Sequence, residues 1–248
     1  MYKFYTLFKR DMMNIILNPM LLSFNTVFPF LLILILGFLS RGRYGETGID
    51  SYDYYGVTML LYIVLNVATT SANSFMERSI KTTNMRVMFS PIPNSFIYLA
   101  KIAATFVFTS VCFIGLMLAS GLLLGVNYGG DNVFLVLGLV LIFNLFSAIM
   151  GVFFCCIFKS EELTNKILSL AINMFALLGG LFFQMDGLGK TVVAISRLSP
   201  VKWVSEGIFK IIYDSDISSF LPISAALLAL SVVLLLGCRL IFKTEDYV

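Results

Sequence analysis

Histidine occurs nowhere in the 248 residues. Its absence removes the usual general base near neutral pH and the commonest metal ligand. Charge is scarce as well: Asp, Glu, Lys and Arg make up 12% of the chain, about half the roughly 25% of a soluble globular protein. The four cysteines, Cys112, Cys155, Cys156 and Cys238, each lie inside a long apolar run. That placement argues for packing rather than a disulfide framework or a metal cluster. One further absence is a single residue. The stretch Gln184 to Thr191, QMDGLGKT, ends in the Gly-Lys-Thr that closes a phosphate-binding loop, but Gln184 occupies the place of the leading glycine that lets the backbone wrap around phosphates. The stretch also follows the apolar LLGGLFF, where a phosphate loop follows a strand of a soluble domain. No catalytic residue, bound metal or cofactor is expected in this chain.

What fills the chain instead is apolar: 59% of its residues are hydrophobic. A helix needs about 20 such residues to cross a ~30 Å hydrocarbon core. Six runs qualify, at 21–39, 57–75, 102–126, 133–158, 167–185 and 221–238. FPFLLILILGFL does not alternate apolar with polar residues, which argues against a lipid-facing β-barrel. The expectation is an all-α membrane protein of six transmembrane helices, a single transmembrane domain over 1–248. The first 18 residues are mixed polar and apolar and no small-residue cleavage site follows, so the first span is expected to be retained.

Basic loops stay on the cytoplasmic side of a bilayer. With both termini cytoplasmic, the inner side holds Lys3, Lys9, Arg10, Arg78, Lys81, Arg86, Lys101, Lys159, Lys166, Arg239 and Lys243. The outer side holds Arg41, Arg43, Lys190, Arg197, Lys202 and Lys210. The net charge of +3 is thus polarised across the bilayer and is not a nucleic-acid patch. QMDGLGKT falls outside the cytoplasm, away from ATP.

Three connecting segments carry pattern. In residues 1–19, Phe4, Phe8, Met12, Ile15 and Ile16 recur at helical spacing, while Lys3, Arg10, Asp11 and Asn14 point elsewhere. This predicts an amphipathic interfacial helix, turned into the membrane at Asn18-Pro19; the alternative is a short soluble tail. Residues 77–96 begin ERSIKTTNMRVMFSPIPN and read either as a short amphipathic cytoplasmic helix with a rigid Pro turn or as a solvated loop. Residues 186–220 are unusually apolar for a water-exposed loop, with Val201, Val204, Ile208 and Ile211 on one helical face. They read as short helices re-entering the outer leaflet or as a surface helix.

Polar residues inside the spans, Asn66, Thr69, Thr70, Asn73, Asn144, Ser147 and Asn173, either line a substrate path or make interhelical hydrogen bonds worth about 0.6 kcal/mol each. Gly121 and Gly125 form a GxxxG close-packing candidate.

The order of these features resembles the permease subunit of type-2 ABC exporters along nearly the whole chain. The resemblance is carried by FKRDMMNIILNPMLL, by Glu77-Arg78 leading through Ser90-Pro91 to Lys101, and by Gly179-Gly180, Phe182-Phe183, Leu198, Ser199-Pro200, Trp203 and Glu206 before the last span. Thr82-Thr83 stand where the family pattern has Gly-Thr. The resemblance implies export of a drug, peptide antibiotic, lipid or glycan from the cytoplasm or inner leaflet. It implies a second permease subunit, identical or related, in contact with membrane lipid. It also implies two separate ATPase subunits, which hold ATP and Mg. Glu77, Arg78, Lys81 and Arg86, with Glu161 and Glu162 in the other inner loop, are then the candidate ATPase-contacting residues. Asn66, Thr70, Asn73, Asn144 and Asn173 are the candidate path. An ion-coupled secondary transporter is the rival; it generally needs ionisable groups within the membrane, and none falls within the six runs. A non-transporting membrane scaffold is the other.

Overall fold

The computed structural model of the protein describes residues 2–40, 50–76, 93–182 and 194–242, and all regular structure among them is helical. The chain opens with α1 (Tyr2–Ile16). Asn18 then accepts hydrogen bonds from the N–H groups of Met20 and Leu21, with Pro19 at the first position of α2 (Pro19–Asn25). A side-chain cap and a proline that needs no N–H partner make this the turn expected at Asn18-Pro19. α3 (Val27–Leu39) follows after a break at Thr26. Pro29 supplies the reason: it cannot donate to the Asn25 carbonyl, and its ring crowds that turn.

Next come α4 (Ser51–Met76), α5 (Asn94–Leu124), a 3₁₀ turn at Gly130–Asn132, and α6 (Val133–Phe158). α7 (Glu161–Leu178), α8 (Pro200–Phe209), a π-helical turn at Lys210–Asp214 and α9 (Phe220–Ile241) complete the fold. Among the described residues, five stretches are long and apolar enough to cross a membrane: Pro19–Leu39, Ser51–Met76, Ser95–Leu124, Gly130–Phe158 and Phe220–Ile241. The sixth expected span, 167–185, is not among them. Its helix α7 starts with Glu161 and Glu162, carries Lys166 and ends at Leu178, so the apolar part from Ile167 is only about 18 Å long. Gly179-Gly180 is the stop signal. Gly180 has φ +70°, its N–H reaches the Leu177 carbonyl, and the Leu181 N–H reaches that of Ala176, a paired closure that favours glycine at the left-handed position.

α4 is the central helix. Of its apolar window 83% is buried, against 22% for α2–α3 and 17% for α9; it packs on α3, α5, α6, α7 and α8. Its closest neighbour is α6, because Gly151 lies against the backbone of Ala68 where a Cβ would collide with the Ala68 carbonyl. The GxxxG pair plays a different part. A Cβ at Gly125 would meet nothing within 4 Å; with φ +70° this residue caps α5 instead of admitting a neighbouring helix.

α8 buries Val201, Val204 and Ile208, and the π turn buries Ile211, the face its spacing predicts. α1 buries Leu7, Asp11 and Ile15. This corrects two readings: Asp11 is 2% exposed and points inward, and Ile16 is 50% exposed and points outward. α1 runs along the first half of α5 in the same direction, from the Phe4–Phe96 edge contact at 5.7 Å to Ile15 packed with Ala104, Phe108 and Cys112.

Candidate functional site

The buried helix α4 has one open stripe. From Tyr52 to Met76 every residue is buried except Tyr62, Asn66, Thr69, Asn73 and Met76, which are half-buried. Their alternating spacing of four and three places them on one helical face. α7 lies beside that face. Asn165 Nδ2 donates to Asn73 Oδ1 at 2.9 Å, and further along, the rings of Tyr62 and Phe182 meet edge to face at 5.3 Å. The two contacts run in opposite residue order, so α4 and α7 are antiparallel. At 1.5 Å rise per residue, Ser169 stands level with Thr69 about 6 Å from the Asn73–Asn165 contact, and Asn173 level with Asn66 about 10 to 12 Å from it. Ser169 and Asn173 are exposed. The Asn66 amide donates to its own helix at Tyr62 O (2.7 Å), and the Asn173 amide likewise at Ser169 O (2.8 Å). The result is a polar seam of amides and hydroxyls at three levels, with an aromatic pair at one end.

Two of the five candidate path residues, Asn66 and Asn73, lie on this stripe, and Asn173 stands on α7 at about the level of Asn66. Asn144 does neither. It is fully buried, accepts from Thr109 Oγ1 at 3.0 Å and donates to Ser110 Oγ at 3.0 Å and Phe106 O at 3.3 Å, clamping α6 to α5. Thr70, next to the stripe, is buried at 2%. Asn165 and Ser169 were not singled out from the sequence, although they continue the spacing that ends in Asn173. Of the candidate ATPase contacts, Glu77, Arg78, Lys81 and Arg86 lie outside the described residues. Glu161 and Glu162 occupy the first turn of α7, where carboxylates suit the helix dipole, and Glu162 pairs with Lys166 at 2.6 Å.

A buried charge stands near each end of α4. At its start, Asp53 Oδ1 accepts from the Asn127 N–H at 2.7 Å and Oδ2 from the Tyr213 hydroxyl at 2.9 Å. Burial, and then that bond to Asp53, push the Tyr213 phenol above its ordinary range. The neighbouring Tyr128 is pushed up to about 12, chiefly by burial. Tyr54, stacked on Phe209, donates to Gly180 O at 2.8 Å and ties the same end to the stop of α7. At the other end of α4, Lys101, 1% exposed, donates to Ser74 O at 2.6 Å. Its Nζ lies 3.5 Å from Asp11, which Arg10 also contacts at 2.7 Å. Asp11 had a signal in the sequence: it falls between Leu7 and Ile15 at helical spacing, a charge set into an apolar line.

Comparison with curated proteins finds no match. Residues 2–213 match the family model of the ABC-2 type transporter. With that match over most of its length, on an all-helical chain with several membrane-crossing helices, the protein belongs to the ABC-2 type transporter family and is a multi-pass permease component of an ABC transporter.

Proposed function

We propose that the chain is the membrane half of an exporter and that its substrate moves along the seam between α4 and α7. The observation that carries this reading is the polar face of Ser169 and Asn173, exposed on an apolar helix and level with the one open stripe of the central helix. The Asn173 amide bonds to Ser169 of its own helix, and any of its polar groups left unpaired in hydrocarbon would cost several kcal/mol, about 4–8 for a whole amide on a cyclohexane scale. Such a face is therefore expected to meet a partner protein or a water-filled route. A second permease subunit, the same chain or a related one, closes the open side, and the two faces enclose a path of uncharged donors and acceptors.

Energy comes from separate ATPase subunits, two copies, which hold ATP and Mg. They dock on the inner side at Glu77, Arg78, Lys81 and Arg86, with Glu161 and Glu162. Both termini are cytoplasmic in the cell membrane, α7 and the residues that follow it make the sixth crossing, and transport is outward. A drug, peptide antibiotic, lipid or glycan suits an uncharged route, and 186–220 forms its outer end, with α8 re-entering the bilayer. The ion-coupled reading would draw on Lys101 and Asp11, but these are engaged with each other, with Arg10 and with the Ser74 carbonyl at the contact of α1, α4 and α5. The scaffold reading has no use for a polar face matched level by level.

The test places single cysteines at Asn66 and Asn173 in a variant without the four native cysteines, assembled with its ATPase in liposomes. A small maleimide should label both, and the rate should change about tenfold between nucleotide-free and ATP-plus-vanadate states, a coupling of ordinary allosteric size. Labelling that ignores nucleotide at both positions refutes the path.

A further inference from the structure

We infer that Lys101 is a positioning residue that staples α1 to both flanks of the 77–92 connection, so that α1 moves with α4 and α5 when the ATPase acts. The inference rests on the exporter reading above. Its geometry is direct. Ser74 belongs to the last described turn of α4, and Lys101 Nζ donates to its carbonyl from α5 at 2.6 Å. The same ammonium lies 3.5 Å from Asp11 of α1. One cation therefore joins the helix that the chain leaves at Met76, the helix that it joins at Asn94, and the N-terminal helix.

Stability alone gives little reason for this arrangement. A buried ion pair is commonly replaceable by apolar side chains at no loss of stability, because desolvation consumes the Coulombic gain. What the pair supplies is direction: Asp11 keeps Arg10 of its own helix at 2.7 Å in any register, but the buried Lys101 ammonium keeps its carboxylate only while α1 holds its register on α5. Phe4 on Phe96 and Ile15 among Ala104, Phe108 and Cys112, with Phe8 and Met12 beside them, are apolar α1–α5 contacts that tolerate sliding. Without the pair, a push on the 77–92 connection would move α4 and α5 while α1 slips.

The experiment uses the assembled complex in liposomes, with the cysteine at Asn66 as the reporter and a small maleimide as the probe. Asp11→Asn keeps the shape and removes the charge. The expected result is that ATP hydrolysis persists while the roughly tenfold ATP-dependent change in labelling falls below about twofold. Bridging cysteines at Phe4 and Phe96 with a short bifunctional thiol reagent before labelling should restore it, because the bridge replaces the lost register. Full ATP dependence in unbridged Asp11→Asn, or no recovery on bridging, overturns the inference. Should Asp11→Asn fail to accumulate, the bridged pair alone decides. In the otherwise unaltered chain it should leave the response intact, and its abolition would mean that α1 must slide on α5. If the reporter ignores ATP before any change at Asp11, the seam reading has failed and the staple is not at fault.

Discussion

Replacing Asn144 and Asn173, one at a time, with leucine separates an intramembrane amide that packs from one that faces a path. The two are alike in sequence, each an Asn in an apolar helix, and differ only in surroundings. Asn144→Leu removes the bonds with Thr109 and Ser110, both 3.0 Å, and the one with Phe106 O at 3.3 Å. At about 0.6 kcal/mol for each interhelical bond the loss is about 2 kcal/mol. Leucine's branched end in a fully buried site adds about 1 to 3 kcal/mol of overpacking. Asn173→Leu removes a bond to its own helix at Ser169 O from an exposed position, so the change in stability should stay within about 0.5 kcal/mol. The assay is a thermal scan of the detergent-solubilised complex beside ATP-dependent uptake into inverted vesicles of the compound to which deletion of the gene sensitises cells, normalised to assembled complex. Asn144→Leu should melt earlier and transport normally per complex. Asn173→Leu should melt like the wild type and lose most transport or change its preference among compounds. The reverse pattern, stability lost at Asn173 and transport lost at Asn144, refutes the assignment of the seam.

Gly151→Val should reduce the amount of permease in the membrane more than any seam substitution, because its side chain would occupy the place of the Ala68 backbone; quantitative blotting checks this. Tyr213→Phe should loosen the α4 start by removing the bond to Asp53, read as faster proteolysis at 210–216 with ATPase activity kept. Tyr128 titrates at about 12 in the fold against 10.0 in a free side chain, so its contribution is complete below pH 10 and falls between about 10 and 12, as a pH series of melting curves would record. Glu77→Ala with Arg78→Ala should leave the permease in the membrane and uncouple transport from ATP hydrolysis. A cysteine at Thr47 should react with an impermeant reagent on intact cells and one at Thr83 should not; the opposite result reverses the topology.

Local rules carried much of the fold. Asn18-Pro19 specifies a cap and a first-turn proline within three residues, and the α8 face follows from spacing alone, so both are legible without a partner helix. What depends on a distant neighbour is not. Gly151 has its reason in Ala68, far away in the chain, while Gly121 and Gly125, which look like a packing motif, meet no helix within 4 Å among the described residues. Asp11 breaks the polar-out rule because Lys101 supplies a charge inside. The amides show the limit most clearly: Asn66 and Asn173 become half of one seam only once α4 and α7 are known to run antiparallel with Asn73 beside Asn165.

The central helix gives the physical reason why such a site is hard to read. In water the most apolar helix is the most buried, but lipid is as apolar as any side chain, so no such force sorts helices within a bilayer. Here the least apolar of the five membrane-crossing helices is also the most buried, and the more apolar α2–α3 and α9 lie outside. Polar content in a span therefore identifies α4 as interior but not which of its polar residues are spent on neighbours. Thr58 bonds back to Tyr54 O, Asn73 reaches α7, and among the described residues Asn66 bonds only within its own helix. An intramembrane amide that has no partner beyond its own helix, and remains part-exposed, is the one still able to bind something else.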